Sequence, residues 1–564
     1  MPPNTKKLRS QEWFGGLSYE ATVRRAWLRS EGLGARVFED RPVVGICNSW
    51  SELNNCNAHL REVAEAVKRG VWDAGGLPLE FPTISLGELF MKPTTMLFRN
   101  LMAMDVEEMI RANPIDGVVL LCGCDKTTPA QLMGAASADI PAIMVTGGPM
   151  LAGNWKGNVL GSGTDGRKYF QELRAGRMTE EQWCEIEGCI ARSRGHCTVM
   201  GTASTMACMA EAMGMTLPGG AAIPAVDSRR YQLAEASGRQ IVEMIRQDLR
   251  PSRIMTRAAF ENAIKVDMAI GGSTNAVVHL VAIAGRLGIE LPLSEFDRIS
   301  RQTPFIANVK PSGQYVMEDF FYAGGLPAVM KEIEPLLDTT VPTVTGRTLA
   351  ENLQSAGTIN RDVILPLDRA LSAEGGTAIL YGSLAPDGAV IKQTAASPRL
   401  LKHRGRALVF PNYEELKARI DDAALEVDEN TVLVLQGAGP KGGPGMPEWG
   451  HLPIPVKLLK KGVDDMVRIS DARMSGTSFG TVVLHVSPES AGGGPLALVR
   501  MGDEISLDVE ARRVDLCVPE EELRRRRAAW RPPAPHYTRG YGKLFLDHVT
   551  QAHLGCDFDF LRHC

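Results

Sequence analysis

Before residue 370 the apolar positions alternate between two patterns. Val43-Val44-Gly45-Ile46, Val118-Val119-Leu120-Leu121 and Ile143-Met144-Val145 are short apolar runs, each leading into a polar or glycine-containing loop. Such runs predict buried strands of a parallel sheet. Between the first two, Val63, Ala66, Val67 and Val71 recur at helical spacing and predict a helix from 60 to about 74. Strand, loop and helix alternating in this way predict a three-layer α/β/α unit, its sheet covered on both faces. From about 179 to 301 the chain reads as mostly helical, broken at 193–198 and at Gly271-Gly272-Ser273-Thr274-Asn275. After about 370 short strands follow one another at 377–382, 407–410, 431–435, 481–486 and 504–509, most of them separated by glycine-rich or polar turns. That pattern predicts a β-rich, barrel-like unit. The fold class is therefore α/β, with an α/β unit over 1–370, a barrel-like unit over 371–564 and a C-terminal tail packing back. A chain of 564 residues exceeds the size of one core, in keeping with two units.

Composition narrows the partners. The formal charge of −4 gives no reason to expect nucleic acid. No apolar run reaches bilayer length, so no membrane partner is expected. Residues 1–7 carry lysines with no apolar segment behind them, which is not a secretory signal, and the expected location is the cytoplasm. The run Arg524-Arg525-Arg526-Arg527 reads as a solvated helix face. Eleven cysteines, at 47, 56, 122, 124, 184, 189, 197, 208, 517, 556 and 564, are odd in number and dispersed, the wrong pattern for a disulfide framework.

Reactive side chains crowd the end of one predicted strand. Gly123-Cys124-Asp125-Lys126-Thr127 supplies a thiol, a carboxylate, an amine and a hydroxyl in successive positions, with Thr128 placed to cap the next helix and Pro129 in its first turn. The carboxyl end of a strand beside a helix start is where α/β sheets bind ligands. Cys122 shares the face of Val118 and Leu120 and is read as core. Two further cysteines stand in loops, Cys56 between Asn55 and Asn57, and Cys197 after Gly195-His196. Glu88, Asp125 and Glu448 sit at loop junctions, and carboxylates converging on a hard cation suit Mg²⁺. The loop 437–448 is glycine-dense but lacks the Gly-Lys-Ser/Thr ending of a P-loop. Ser475 precedes a glycine in a tight turn, without the Gly-x-Ser-x-Gly elbow of a hydrolase.

Taken together, six stretches resemble the family of dihydroxy-acid and phosphogluconate dehydratases. They are Asn55-Cys56-Asn57, Cys124-Asp125-Lys126-Thr127, Gly195-His196-Cys197-Thr198, Gly271-Gly272-Ser273-Thr274-Asn275, Gly443-Pro444-Gly445-Met446-Pro447-Glu448 and the 470–477 stretch. Trp50-Ser51-Glu52-Leu53-Asn54-Asn55-Cys56, Glu448-Trp449-Gly450-His451 and Met474-Ser475-Gly476-Thr477 resemble the sugar-acid (aldonate) branch more than the branched-chain biosynthetic one. The resemblance implies a [2Fe-2S] cluster on Cys56, Cys124 and Cys197, and Mg²⁺ on Glu88, Asp125, Glu448 and a carbamylated Lys126. It implies Ser475 as the base and Thr477 close to substrate, with Ser273, Thr274 and His451 reading substrate hydroxyls; the alternative for Ser273 and Thr274 is a helix cap. It implies a homodimer or homotetramer acting on a 2,3-dihydroxy sugar acid, a pentonate such as L-arabinonate or D-xylonate, and yielding the 2-keto-3-deoxy acid. Rival readings are a branched-chain dihydroxy-acid dehydratase and, in another class, a non-enzymatic protein with structural zinc.

Overall fold

The three apolar runs of the first unit form strands of one sheet in this computed structural model, which describes residues 8–563. Residues 1–7 and Cys564, read above as sequence, lie outside the described residues. In chain order the elements are β1 (Val43–Asn48), α1 (Leu60–Asp73), β2 (Leu77–Pro82), α2 (Met96–Ala112), β3 (Gly117–Cys122), α3 (Thr127–Ala138) and β4 (Ala142–Thr146). The strands are all parallel, in the order β2-β1-β3-β4. From β1 the chain steps outward to β2, then crosses back over β1 to β3 and continues to β4. Right-handed crossovers in opposite directions put α1 on one face and α2 and α3 on the other, which gives the three layers. β2 is the strand that the apolar pattern does not show. It lies at the sheet edge, where Pro78 and Pro82 are tolerated and only its first two residues are buried.

The helical stretch supplies α4 (Thr164–Arg174), α5 (Thr202–Ala212), α6 (Ser228–Gln247), α7 (Arg257–Ile270) and α8 (Asn275–Arg286). Asp227 caps α6 by accepting from Arg229 N, and Thr256 caps α7 by accepting from Ala259 N. α6 packs along α1 and against β3 and β4. Every residue of α8 is buried, so it is a core helix and not an amphipathic surface one.

The second sheet has eight strands: β5 (Ala378–Leu380), β6 (Ala389–Ile391), β7 (Lys402–Phe410), β8 (Val432–Leu435), β9 (Arg468–Ser470), β10 (Val482–Leu484), β11 (Glu504–Asp508) and β12 (Arg513–Leu516). Their order is β12-β11-β7-β8-β9-β10-β6-β5, parallel from β7 to β10 and antiparallel elsewhere. A bridge between Tyr381 and Arg513 joins the two outer strands, so the sheet is nearly closed into a barrel. Alternate residues fill its interior: Leu380, Ile391, Val432, Val434, Ile469, Val483, Ile505, Leu507, Val514 and Leu516 form one cluster. Leu408, Phe410, Leu433 and Leu435 point the other way into a separate outer cluster. β6, β9 and β12 are absent from the strands predicted from sequence, and β9, Arg468-Ile469-Ser470, has a single apolar position to signal it.

After β12 the helix α9 (Glu520–Ala529) buries no residue. α10 (Gly540–His548) and the turns beyond it return to the first unit. Phe545 and Phe558 pack with Met96, Leu97 and Val278, and Asp557 pairs with buried Arg286 at 2.6 Å. Among the described residues no helix is long and apolar enough to cross a membrane.

Candidate active site

β1 and β3 are adjacent strands from which the chain departs in opposite directions. The crevice outside their carboxyl ends is the switch point at which open α/β sheets bind ligands. The loop after β1 carries Cys56 and the turn after β3 carries Cys124, Asp125 and Lys126. These loops touch: a Cβ on Gly123 would lie 2.4 Å from the Cys56 carbonyl oxygen, so this position demands glycine. The 193–198 segment docks on the same place. His196 N donates to Gly148 O at 3.0 Å, Met150 N to His196 O at 2.9 Å, and Gly195 N to Asn55 O at 3.1 Å. Cys56, Cys124 and Cys197 thereby line one cavity of about 550 Å³, and all three are free thiols. The hydrogen bond with Cys124, then burial, then the neighbouring Cys124, Cys197 and Asp125 hold the Cys56 thiol well above its usual range. Burial and the Asp125 charge push Cys197 up to about 12. Cys56 and Cys197 therefore resist ionising unless a cation shares their charge.

The turn is built differently from the sequence expectation for Thr128. The helix starts at Thr127, and it is the Thr127 hydroxyl that accepts from the backbone N–H groups of Gly123 and Cys124, at 3.3 and 3.0 Å. Thr128 instead turns its hydroxyl onto buried Cys122 Sγ at 3.4 Å. Thr127 is buried and serves the backbone of the turn, away from the cavity.

Beside the thiols, Glu88, Asp125 and Glu448 line the same cavity. Behind them Lys126 is completely buried, its Nζ 3.3 Å from Asp125, 3.4 Å from Glu88 and 3.6 Å from Glu448. Burial disfavours charge on Lys126 and Arg473 adds repulsion, yet the three carboxylates outweigh both and hold its amine above its ordinary range. Burial raises Glu88 and Asp125 against the pull of Lys126. Burial acts on Glu448 too, but Lys126, Arg473, Arg167 and an Asn275 hydrogen bond outweigh it and keep this acid below its usual range. Arg473, fully buried, ties the unit boundary together: it donates to Met446 O at 2.8 Å and Thr94 Oγ1 at 3.1 Å and pairs with Glu448 at 3.2 Å. Thr94 Oγ1 in turn donates to one Glu88 oxygen at 2.9 Å, and the Thr95 hydroxyl donates to the other.

The barrel contributes the turn after β9. Ser475 and Thr477 line the cavity, their hydroxyl oxygens 3.0 Å apart. A family model for the N-terminal part of dihydroxy-acid/6-phosphogluconate dehydratases matches residues 41–352, and one for the C-terminal part matches 362–556. The chain belongs to the dihydroxy-acid/6-phosphogluconate dehydratase family. It is a hydro-lyase by that membership. It is 55% identical to an L-arabinonate dehydratase of Rhizobium leguminosarum bv. trifolii, covering 99% of this chain and 97% of that protein. A 6-deoxy-6-sulfo-D-gluconate dehydratase of Pseudomonas putida is 50% identical over 99% of this chain and 97% of its own length. A dihydroxy-acid dehydratase of Moorella thermoacetica stands further off, at 43% over 94% of this chain and 97% of its own.

In this dehydratase chain the remaining sequence candidates sit behind the cavity wall. Ser273 is buried, its hydroxyl 2.9 Å from Thr202 Oγ1 and accepting from Asn275 N at 3.2 Å. Thr274 stands at the start of α8 with its hydroxyl unpartnered. His451 is half-buried, edge-on to Phe479 with ring centroids 5.9 Å apart and its Nε2 shielded from solvent, and desolvation depresses its pKa strongly. Three residues gained a role only from the structure. Asn275 donates to Glu448 at 3.1 Å, and Arg473 and Arg167 put positive charge beside the same acid. Asn275 and Arg473 fall inside the resembling stretches, whereas Arg167, on α4, lies outside them and carries no sequence signal.

Proposed function

We propose that the chain dehydrates a sugar acid, a pentonate, to the 2-keto-3-deoxy acid. The observation that carries this reading is the convergence of three thiols, three carboxylates and the Ser475 turn on one cavity at the sheet switch point. Full-length identity of 55% to a protein named L-arabinonate dehydratase, against 43% to a dihydroxy-acid dehydratase, supports the aldonate over the branched-chain substrate.

The donor set fits two inorganic groups. Three unpaired thiols on separate loops suit a [2Fe-2S] cluster on Cys56, Cys124 and Cys197, one fewer thiolate than a closed cluster site carries. Glu88, Asp125 and Glu448 converge on a point where Lys126 now supplies positive charge, and such oxygen donors suit Mg²⁺. An ammonium and a dication compete for the same carboxylates, and carbamylation of Lys126 would turn the competitor into a further oxygen donor. When bound, the two groups would supply Lewis acidity at the substrate carboxylate and at the departing hydroxyl.

The chain's own residues handle the proton. Ser475 Oγ, as the alkoxide, takes the proton from C2; the electron pair left behind forms the C2–C3 double bond as hydroxide leaves C3. The resulting enol takes a proton at C3 and becomes the ketone. Asn275 and Arg473 hold Glu448 in place throughout. Trp449, stacked on Tyr413 with ring centroids 4.5 Å apart, forms an apolar wall of the cavity. Anaerobic reconstitution with iron and sulfide, followed by a panel of pentonates, hexonates and dihydroxyisovalerate, tests the reading. Preferential turnover of a pentonate supports it; a colourless zinc protein inert to every aldonate sinks it.

A further inference from the structure

Thr477 is held more tightly than a substrate contact requires. Thr164 Oγ1, at the start of α4, donates to its carbonyl at 2.7 Å. A Cβ on Gly163, where φ is +75°, would lie 2.5 Å from Thr477 Oγ1, so the loop before α4 is pressed onto this hydroxyl. One turn along α4, Arg167 reaches into the cavity and donates from Nη1 to Thr477 Oγ1 at 3.0 Å and to Gly163 O at 3.2 Å. Thr477 Oγ1 in turn stands 3.0 Å from Ser475 Oγ, and Thr477 N donates to Ser475 Oγ at 3.4 Å.

The direction of this chain of hydrogen bonds follows from chemistry. A guanidinium has donors and no acceptor, so Thr477 Oγ1 must accept from Arg167. The Thr477 hydroxyl proton then has one acceptor among the described residues, Ser475 Oγ. With the Thr477 hydroxyl as donor, Ser475 Oγ receives two donors from Thr477, one from its hydroxyl and one from its backbone. Two donors aimed at one oxygen form a cradle for negative charge on that oxygen.

We propose that Arg167 is a positioning residue that orients the Thr477 hydroxyl so that Ser475 Oγ carries negative charge while it takes the substrate's C2 proton. The inference rests on the reading of Ser475 as base and assigns that base its support. Arg167 keeps its own protons throughout: the resting proton of Ser475 passes to water in the cavity, and the C2 proton replaces it. The titratable groups facing Arg167 from other elements are Glu448, whose carboxylate attracts the guanidinium, and Cys197, which burial keeps as the neutral thiol.

The test compares Arg167→Met, Arg167→Ala, Arg167→Lys and Ser475→Ala in the reconstituted enzyme, following kcat, KM and the pH profile of kcat. Arg167→Met is expected to lower kcat about 100-fold with little change in KM, because the Thr477 hydroxyl, no longer oriented by Arg167, is lost as a donor to the developing anion. The limb of the profile that rises with pH should move to higher pH, as for a base whose alkoxide has lost support. Arg167→Lys should recover part of the loss, and guanidinium added to Arg167→Ala should restore turnover in a saturable way, which also decides the matter should the methionine variant fold poorly. A raised KM with unchanged kcat would make Arg167 a substrate-binding residue and overturn the proposal. Wild-type kcat and pH profile in Arg167→Met, with Ser475→Ala inactive, would overturn the relay and leave the base assignment standing. Full activity in Ser475→Ala would remove the base assignment itself.

Discussion

Gly476 of the barrel closes directly onto Ser273 of the α/β unit: a Cβ on Gly476 would lie 2.7 Å from Ser273 Oγ and 2.5 Å from Thr202 N. The serine turn is thus positioned by contact across the two units. Gly476→Ala must push Ser475 off its place or displace the start of α5. A misplacement of an ångström at a reacting group costs about 100-fold in rate, and that is the expected loss in kcat. Thermal unfolding should show the variant folded. Wild-type turnover in a folded Gly476→Ala protein would show that the contact does not set the geometry.

Ser475→Ala separates the base from the metal-binding groups. The serine is not among the thiols or the carboxylates, so the visible spectrum of the reconstituted variant should match wild type while turnover disappears. Loss of colour together with loss of activity would place Ser475 in the integrity of the thiol site instead.

The turn that bears Cys124 depends on one hydroxyl. Thr127 Oγ1 accepts two buried backbone N–H groups, and Thr127→Val leaves both without an acceptor. Buried donors left unmade cost about 1–3 kcal/mol each, so the variant should unfold at clearly lower urea, whereas Thr127→Ser should stay near wild type. Equal midpoints for the valine and serine variants would contradict this role of the Thr127 hydroxyl.

Which parts of this architecture were legible from the residues follows from their local physics. The long apolar runs at 43–46 and 118–121 declared their strands because burial on both faces leaves no polar position. β2 was hidden because an edge strand carries prolines and exposed residues, and β9 because Ile469 is its one apolar residue between Arg468 and Ser470. The three cysteines and the acids could be singled out by type and loop context. Lys126 lies behind its acids and His451, Ser273 and Thr274 behind the wall, a distinction of a few ångströms that depends on packing. Arg167 was invisible because its meaning lies in a contact 310 positions away along the chain.

Asp267 on α7 and Lys392 after β6 form a buried pair across the two units, and neither charged group makes a hydrogen bond among the described residues. Burial pushes Asp267 up to about 7, against the pull of Lys392, and drives Lys392 down to about 7, against the pull of Asp267. The raised acid contributes stability that is present below its ordinary pKa and lost as pH rises through about 7. The depressed lysine contributes stability present above its ordinary pKa and lost as pH falls through about 7. Their joint cost therefore peaks near neutrality. Asp267→Asn combined with Lys392→Met should be more stable than wild type by about 1–4 kcal/mol at neutral pH, the usual gain on replacing a buried pair. The gain should shrink toward about pH 4 and about pH 10. A difference in denaturation free energy that stayed flat with pH would show that the pair does not titrate as described.

Dehydration of a sugar acid in this cavity, as proposed, removes the C2 proton and the C3 hydroxyl. Proton NMR of a pentonate incubated with the anaerobically reconstituted protein in D₂O tests this reaction. The expected product is a 2-keto-3-deoxy acid carrying solvent deuterium at C3, with little or no product from dihydroxyisovalerate. Pentonate recovered unchanged from protein that dehydrates dihydroxyisovalerate would contradict it.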